Sequence, residues 1–148
     1  MRFLEIVKDG GAESTVWAYV LIESKRFGSI MLLRFDHGTR EAFHSHAFNS
    51  TSWVLRGGGL IEEFHPDSPE YTEGSAGPGA MCFRVHLPSW RPVLTFRDTY
   101  HKVFSCGRTW VLTFRGPWAP TWRDQAVGEP ERVLTHGRRE VLPELVSA

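Results

Sequence analysis

Gly38-Thr39-Arg40-Glu41-Ala42-Phe43-His44-Ser45-His46-Ala47-Phe48-Asn49-Ser50-Thr51-Ser52-Trp53-Val54-Leu55-Arg56-Gly57 is the stretch on which the reading of this chain turns. In an extended segment, residues two apart leave the same face with Cα atoms about 7 Å apart. The imidazoles of His44 and His46 can therefore converge on one ion. A first-row divalent metal takes three or four nitrogen or oxygen ligands at about 2.0–2.2 Å. A third ligand from a neighbouring strand completes a facial set and leaves positions open for water or substrate. His101 is the candidate for that ligand, and His86 is its rival.

Outward from this stretch, glycine and proline interrupt the chain so often that long helices have almost nowhere to form. The runs between the breaks are rich in β-branched and aromatic residues at period two, as pleated strands require. They are 16–22, 30–35, 51–55 and 109–114, with further candidates at 2–7, 60–64, 80–85, 93–97 and 101–105. Turns at Asp36-His37-Gly38, Gly57-Gly58-Gly59 and Gly77-Pro78-Gly79 separate them. Many short strands with such turns predict an all-β sandwich or barrel. Beyond Gly116-Pro117 the composition changes. Residues 117–148 read as a tail docked on a barrel of about 1–116, with a small hairpin turning at His136-Gly137. The whole chain, 1–148, is expected to be one domain.

The chain has 148 residues, 17 basic and 17 acidic, and 41% hydrophobic residues. That composition is globular and far from the disordered regime. A balanced charge gives no bulk attraction to nucleic acid or anionic membrane. The acidic excess of residues 1–74 and the basic excess of 75–148 predict pairing across the fold. The first ten residues carry regular charge and no apolar run, which predicts a cytosolic protein. Cys82 and Cys106 are too few for a disulfide framework and read as buried free thiols.

The spacing Gly38-(x)5-His44-x-His46-(x)3-Ser50-(x)6-Gly57 resembles the first cupin motif, in which the position of Ser50 is normally glutamate. Residues 79–84, Thr99-Tyr100-His101-Lys102-Val103 and 109–117 look like the second half of small bacterial and phage cupins. Ser105 stands where that family has asparagine. The resemblance covers roughly residues 30–117. It implies a cupin-type double-stranded β-helix, a jelly-roll barrel with a short C-terminal appendage, and His44, His46 and His101 as metal ligands. With no carboxylate in the set, the site looks like that of thiol dioxygenases. Iron(II) is the favoured ion, and zinc, nickel, manganese and copper suit the same ligands. The implied activity is dioxygenase-like oxidation of a small molecule. Isomerase or lyase chemistry, or a non-catalytic ligand-binding or assembly role, are its alternatives.

Three neutral imidazoles leave the full charge of a divalent ion uncompensated, which favours an anionic substrate. Asn49, Ser50 and Thr51 offer only neutral oxygens as a fourth ligand, and Glu62 and Glu63 read as solvent-facing charges. His37, His65 and His136 read as exposed turn residues. Arg34, Arg56, Arg84, Arg97 and Arg115 lie in or beside apolar strands, and an inward one would bind a substrate carboxylate. Arg34 is the leading inward candidate. Tyr100, with Trp53, Trp110, Trp118 and Trp122, is a candidate pocket wall, and Arg34 and Tyr100 are the candidate catalytic residues. A homodimer formed through a barrel edge or the tail is expected from the need to protect open sheet edges. No hydrolase elbow, phosphate loop, dinucleotide fingerprint or His-Glu-x-x-His occurs.

Overall fold

A computed structural model describes residues 1–10, 14–38, 42–71, 81–126 and 128–141. The described residues form strands and no helix. In chain order the strands are β1 (Arg2–Asp9), β2 (Val16–Ser24), β3 (Gly28–Phe35), β4 (Ala42–His44) and β5 (Ser50–Gly57). There follow β6 (Leu60–Phe64), β7 (Cys82–His86), β8 (Val93–Thr95), β9 (His101–Ser105) and β10 (Thr109–Arg115). The last three are β11 (Thr121–Ala126), β12 (Arg132–Thr135) and β13 (Arg139–Glu140). They assemble into two antiparallel sheets, of order β1-β2-β3-β10-β5-β8 and β13-β12-β11-β4-β9-β6-β7. The expected all-β jelly roll is observed. The turn expected at Gly77-Pro78-Gly79 and the tail's residues 142–148 lie outside the described residues.

Period two decides which side chains the six-stranded sheet turns inward. Directly opposed residues share a face, so each inward row crosses several strands. One row is Ala18–Leu33–Val111–Val54. With Val20, Met31 and Leu60 these residues form the buried apolar core. Two residue pairs further along the strands, the inward row is Glu23–Ser29–Arg115–Ser50–Thr95. A bulge in β2 between Val20 and Ile22 returns Glu23 to the inner face. One sheet thus lines the interior with an apolar stripe and a charged, hydroxyl-rich one.

The segment after Pro117 joins the barrel through a shared sheet. β11 pairs with β4 through Asp124↔His44, Gln125↔Phe43 and Ala126↔Ala42, and so inserts the tail into the seven-stranded sheet. The other edge of β4 has only a single pairing, His44↔His101. A three-residue strand with so little support on one side needs the ladder that the tail supplies. The hairpin at His136-Gly137 is observed as β12 and β13. The charge asymmetry of the two halves resolves into pairs across the fold, such as Lys102–Glu63, Arg108–Asp36 and Arg115–Asp9. The thiols are free but not buried: Cys82 is half-buried on the edge strand β7, and Cys106 is exposed after β9. No helix among the described residues is long and apolar enough to cross a membrane.

The turn between β5 and β6 depends on Gly57, whose φ is 122°. A Cβ there would lie 2.2 Å from the Arg108 carbonyl oxygen and 2.6 Å from Thr109 Cα. Gly57→Ala is therefore expected to destabilise the protein by about 3 kcal/mol, from backbone strain and overlap together. Denaturant unfolding measures this, and a loss below about 0.5 kcal/mol would contradict the tight β5–β6 packing.

Candidate metal centre

His44 ends β4, and His101 opens β9 directly opposite it. His46 lies beyond the strand, where the backbone turns away: Ser45 N–H donates to Arg123 O at 2.9 Å and His46 N–H to Arg97 O at 3.2 Å. The two histidines therefore do not share one continuous strand, yet they converge. Ring centroids are 5.0 Å apart for His44 and His46, 5.1 Å for His44 and His101, and 5.0 Å for His46 and His101. This triangle is nearly equilateral. One ring nitrogen from each histidine lies within 4.8 Å of the others.

Hydrogen bonds on the outer side of two rings fix which nitrogen faces the centre. His44 Nδ1 donates to the Ala42 carbonyl at 3.1 Å, and His101 Nδ1 donates to Glu62. Each leaves its Nε2 lone pair pointing inward. His46 is held neutral. Burial depresses its pKa well below the usual imidazole value, and the charges of His101, His44 and Arg115 add to the effect. His46 Nε2 and His101 Nε2 are 2.8 Å apart. Two nitrogens bound to one ion at about 2.1 Å would sit roughly 3.0–3.4 Å apart. Ring rotations of a few tenths of an ångström reach that spacing, so the donors fit a divalent first-row ion.

Glu62 corrects the sequence reading, which placed it in solvent. It is 3% exposed and lies on the inner face of β6 between Leu60 and Phe64. Its second oxygen accepts from His86 Nε2 at 2.7 Å. Burial alone would raise its pKa, but the hydrogen bonds and charges of His101 and His86 outweigh burial and hold it at about 2. Both carboxylate oxygens are thus engaged behind the centre. His86 lies outside the three-histidine triangle as a partner of Glu62, and it lines the same cavity. The signal for Glu62 was present in the sequence as an acid at period two between two core residues.

The triangle opens on a cavity of about 550 Å³ between the sheets. Arg34 is not at its wall. It lies on the outer face of β3, donating to Tyr19 at 3.1 Å and to Asp36 at 3.2 Å. Arg115 is the inward arginine, its side chain 7% exposed and paired with Asp9. Tyr100 is also outside the cavity. It is fully buried against Phe43 and His65, and its hydroxyl donates to Gln125 at 3.2 Å. Burial raises its pKa well above the ordinary phenol value, with Glu131 adding to the effect. Trp118 and Trp122 line the cavity, whereas Trp53 and Trp110 pack elsewhere, against Phe114 and Tyr19. Ser50 lines it as well. His37 is exposed as expected, but His65 and His136 are half-buried against aromatic rings.

Two antiparallel sheets around this centre define a cupin-type jelly roll carrying a three-histidine metal-binding group. Among solved structures the chain is similar to FeII HppE, with a TM-score of 0.53 and 14% identity over 75% of this chain and 55% of that one. It therefore spans about half the length of that protein. It is similar to an RmlC-like cupin from Shewanella frigidimarina, with a TM-score of 0.50 and 16% identity over 77% of this chain and 84% of that one. A cupin-2 domain protein from Rhodospirillum rubrum gives a TM-score of 0.51 and 9% identity over 90% of this chain and 77% of that one. No family model and no curated protein matches the sequence. The fold is shared; at these identities the likeness extends no further.

The two perturbed groups act in the same direction. An unfolded histidine binds its proton near 6.5, but folded His46 does so only well below that. The unfolded state therefore takes up more protons as pH falls through 6.5, and stability is lost. Glu62 contributes stability that is complete above its ordinary 4.5 and lost as pH falls towards about 2. Metal-free protein is expected to unfold at progressively lower denaturant as pH drops below about 6.5. Midpoints that stay constant from pH 7.5 to pH 4 would contradict the arrangement.

Proposed function

We propose that the protein is a cytosolic, metal-dependent oxidoreductase of small anionic molecules, dioxygenase-like, with iron(II) as the favoured ion. The observation that carries the reading is the triangle of three histidines at the wall of the cavity between the sheets. A bound divalent ion would supply Lewis acidity and, as iron(II), electrons for dioxygen chemistry. The iron(II) state of the fold neighbour HppE supports the choice of ion.

The chain's own residues would do the rest. His44, His46 and His101 would hold the ion, and no carboxylate joins them in the described cluster. Glu62 keeps His101 in one tautomer and orientation while placing a negative charge behind the ring. The apolar side chains of Leu33, Val54 and Val111 keep part of the cavity dry, which strengthens every charge interaction within it. His86, backed by Glu62, faces the cavity and is the residue placed to hold or release a proton near substrate. That placement also suits an isomerase or lyase, and oxygen uptake separates the two chemistries.

Protein purified without a histidine tag is expected to carry about one equivalent of divalent metal, as a single three-histidine site would hold. His44→Ala and His101→Ala should bring this below about a tenth of an equivalent. Glu62→Gln should weaken metal affinity by about 10–100-fold. Elemental analysis and competition with a chelator measure these. Wild-type protein that takes up no metal would overturn the reading, and turnover of substrate without oxygen consumption would replace the oxidase with the isomerase or lyase.

A further inference from the structure

The cavity is asymmetric in a way the metal site does not require. Five cationic side chains line it against three carboxylates. Arg115 is the most enclosed of these cations. Its guanidinium spans Asp9, with Nη1 at 3.2 Å and Nη2 at 2.5 Å from the two carboxylate oxygens, and it stacks over Phe48 at 4.8 Å. Its remaining N–H groups have no partner among the described residues. It lies close enough to His46 for its charge to be felt there.

One neighbour of Arg115 in its row offers a further donor. Ser50 stands directly across from it on β5 and lines the cavity. Lys25 also lines the cavity, its ammonium over the Trp118 ring at 5.3 Å and no carboxylate beside it among the described residues. Along the same strands the wall changes to the apolar row Ala18–Leu33–Val111–Val54. Rows four residues apart are separated by about 13 Å, the scale of a small molecule with a polar head and an apolar body.

We propose that the cavity takes a carboxylic acid with an apolar body, its carboxylate bound by Arg115 with the Ser50 hydroxyl and its body lying along Ala18, Leu33, Val54 and Val111. The inference rests on the reading of the cavity as a substrate site. Asp9 holds the guanidinium in place and competes with the ligand for it. Removing Asp9 and removing Arg115 therefore have opposite effects on acid binding, which a purely structural ion pair would not produce.

The test is calorimetric titration of the full chain, with and without added divalent metal, using octanoate, 1-octanol and acetate as probes. Octanoate is expected to bind about tenfold or more tightly than either of the others, because only it satisfies both ends of the cavity. Arg115→Gln should bring octanoate to the level of octanol. Asp9→Asn should tighten octanoate several-fold and leave octanol unchanged, and it decides the matter if Arg115→Gln fails to fold. Equal binding of octanoate and octanol, or Asp9→Asn weakening both alike, would overturn the proposal. Metal content measured on the same samples keeps the two readings apart. Metal bound with no preference for octanoate sinks the acid site alone, whereas Arg115-dependent octanoate binding without metal sinks the metalloenzyme alone.

Discussion

A single buried carboxylate organises this site. Glu62 reaches from β6 to His101 on one side and to His86 on the other, and both bonds are made away from water. Burying a carboxylate costs several kcal/mol unless both oxygens are satisfied, so the two histidines and the acid fix one another. His101 is thereby held in the tautomer that offers Nε2 to the centre. His44 reaches the same condition through the Ala42 carbonyl, and His46 stays neutral through burial and neighbouring charge. Two tautomers fixed by hydrogen bonds and one ring held neutral thus face one point.

The scaffold places these groups by ordinary strand physics. Pairing of β4 with β9 sets His44 opposite His101, and the ladder from β11 secures the far edge of β4. The position that would hold an acid in the cupin motif is Ser50, which stands across from Arg115. The negative charge near the three histidines comes from Glu62 instead, one ring further out. The centre is therefore less positive than three bare imidazoles would make it.

Much of the fold was legible because strands in a half-buried sheet repeat at period two. Nine segments read as strands from alternation alone have counterparts among β1 to β10. The short β4 and the polar β11 escaped, since three residues carry no periodicity and Thr121–Ala126 has few apolar positions. His44, His46 and His101 could be proposed together because spacing marks the first pair and the third opens a strand-like run. The inward arginine could not be chosen. β3 is apolar on both faces, with Ile30 and Leu32 outside and Met31 and Leu33 inside, so alternation gave Arg34 no side. Glu62 was misread because its acidity outweighed its register between Leu60 and Phe64.

The most direct test of the central claim is an anomalous difference map from crystals of the metal-loaded protein. A divalent ion is expected at the centre of the His44, His46 and His101 triangle, about 2.0–2.2 Å from one nitrogen of each. Glu62 should remain on His101 and His86. An ion held elsewhere, or one bound by Glu62 in place of a histidine, would contradict it.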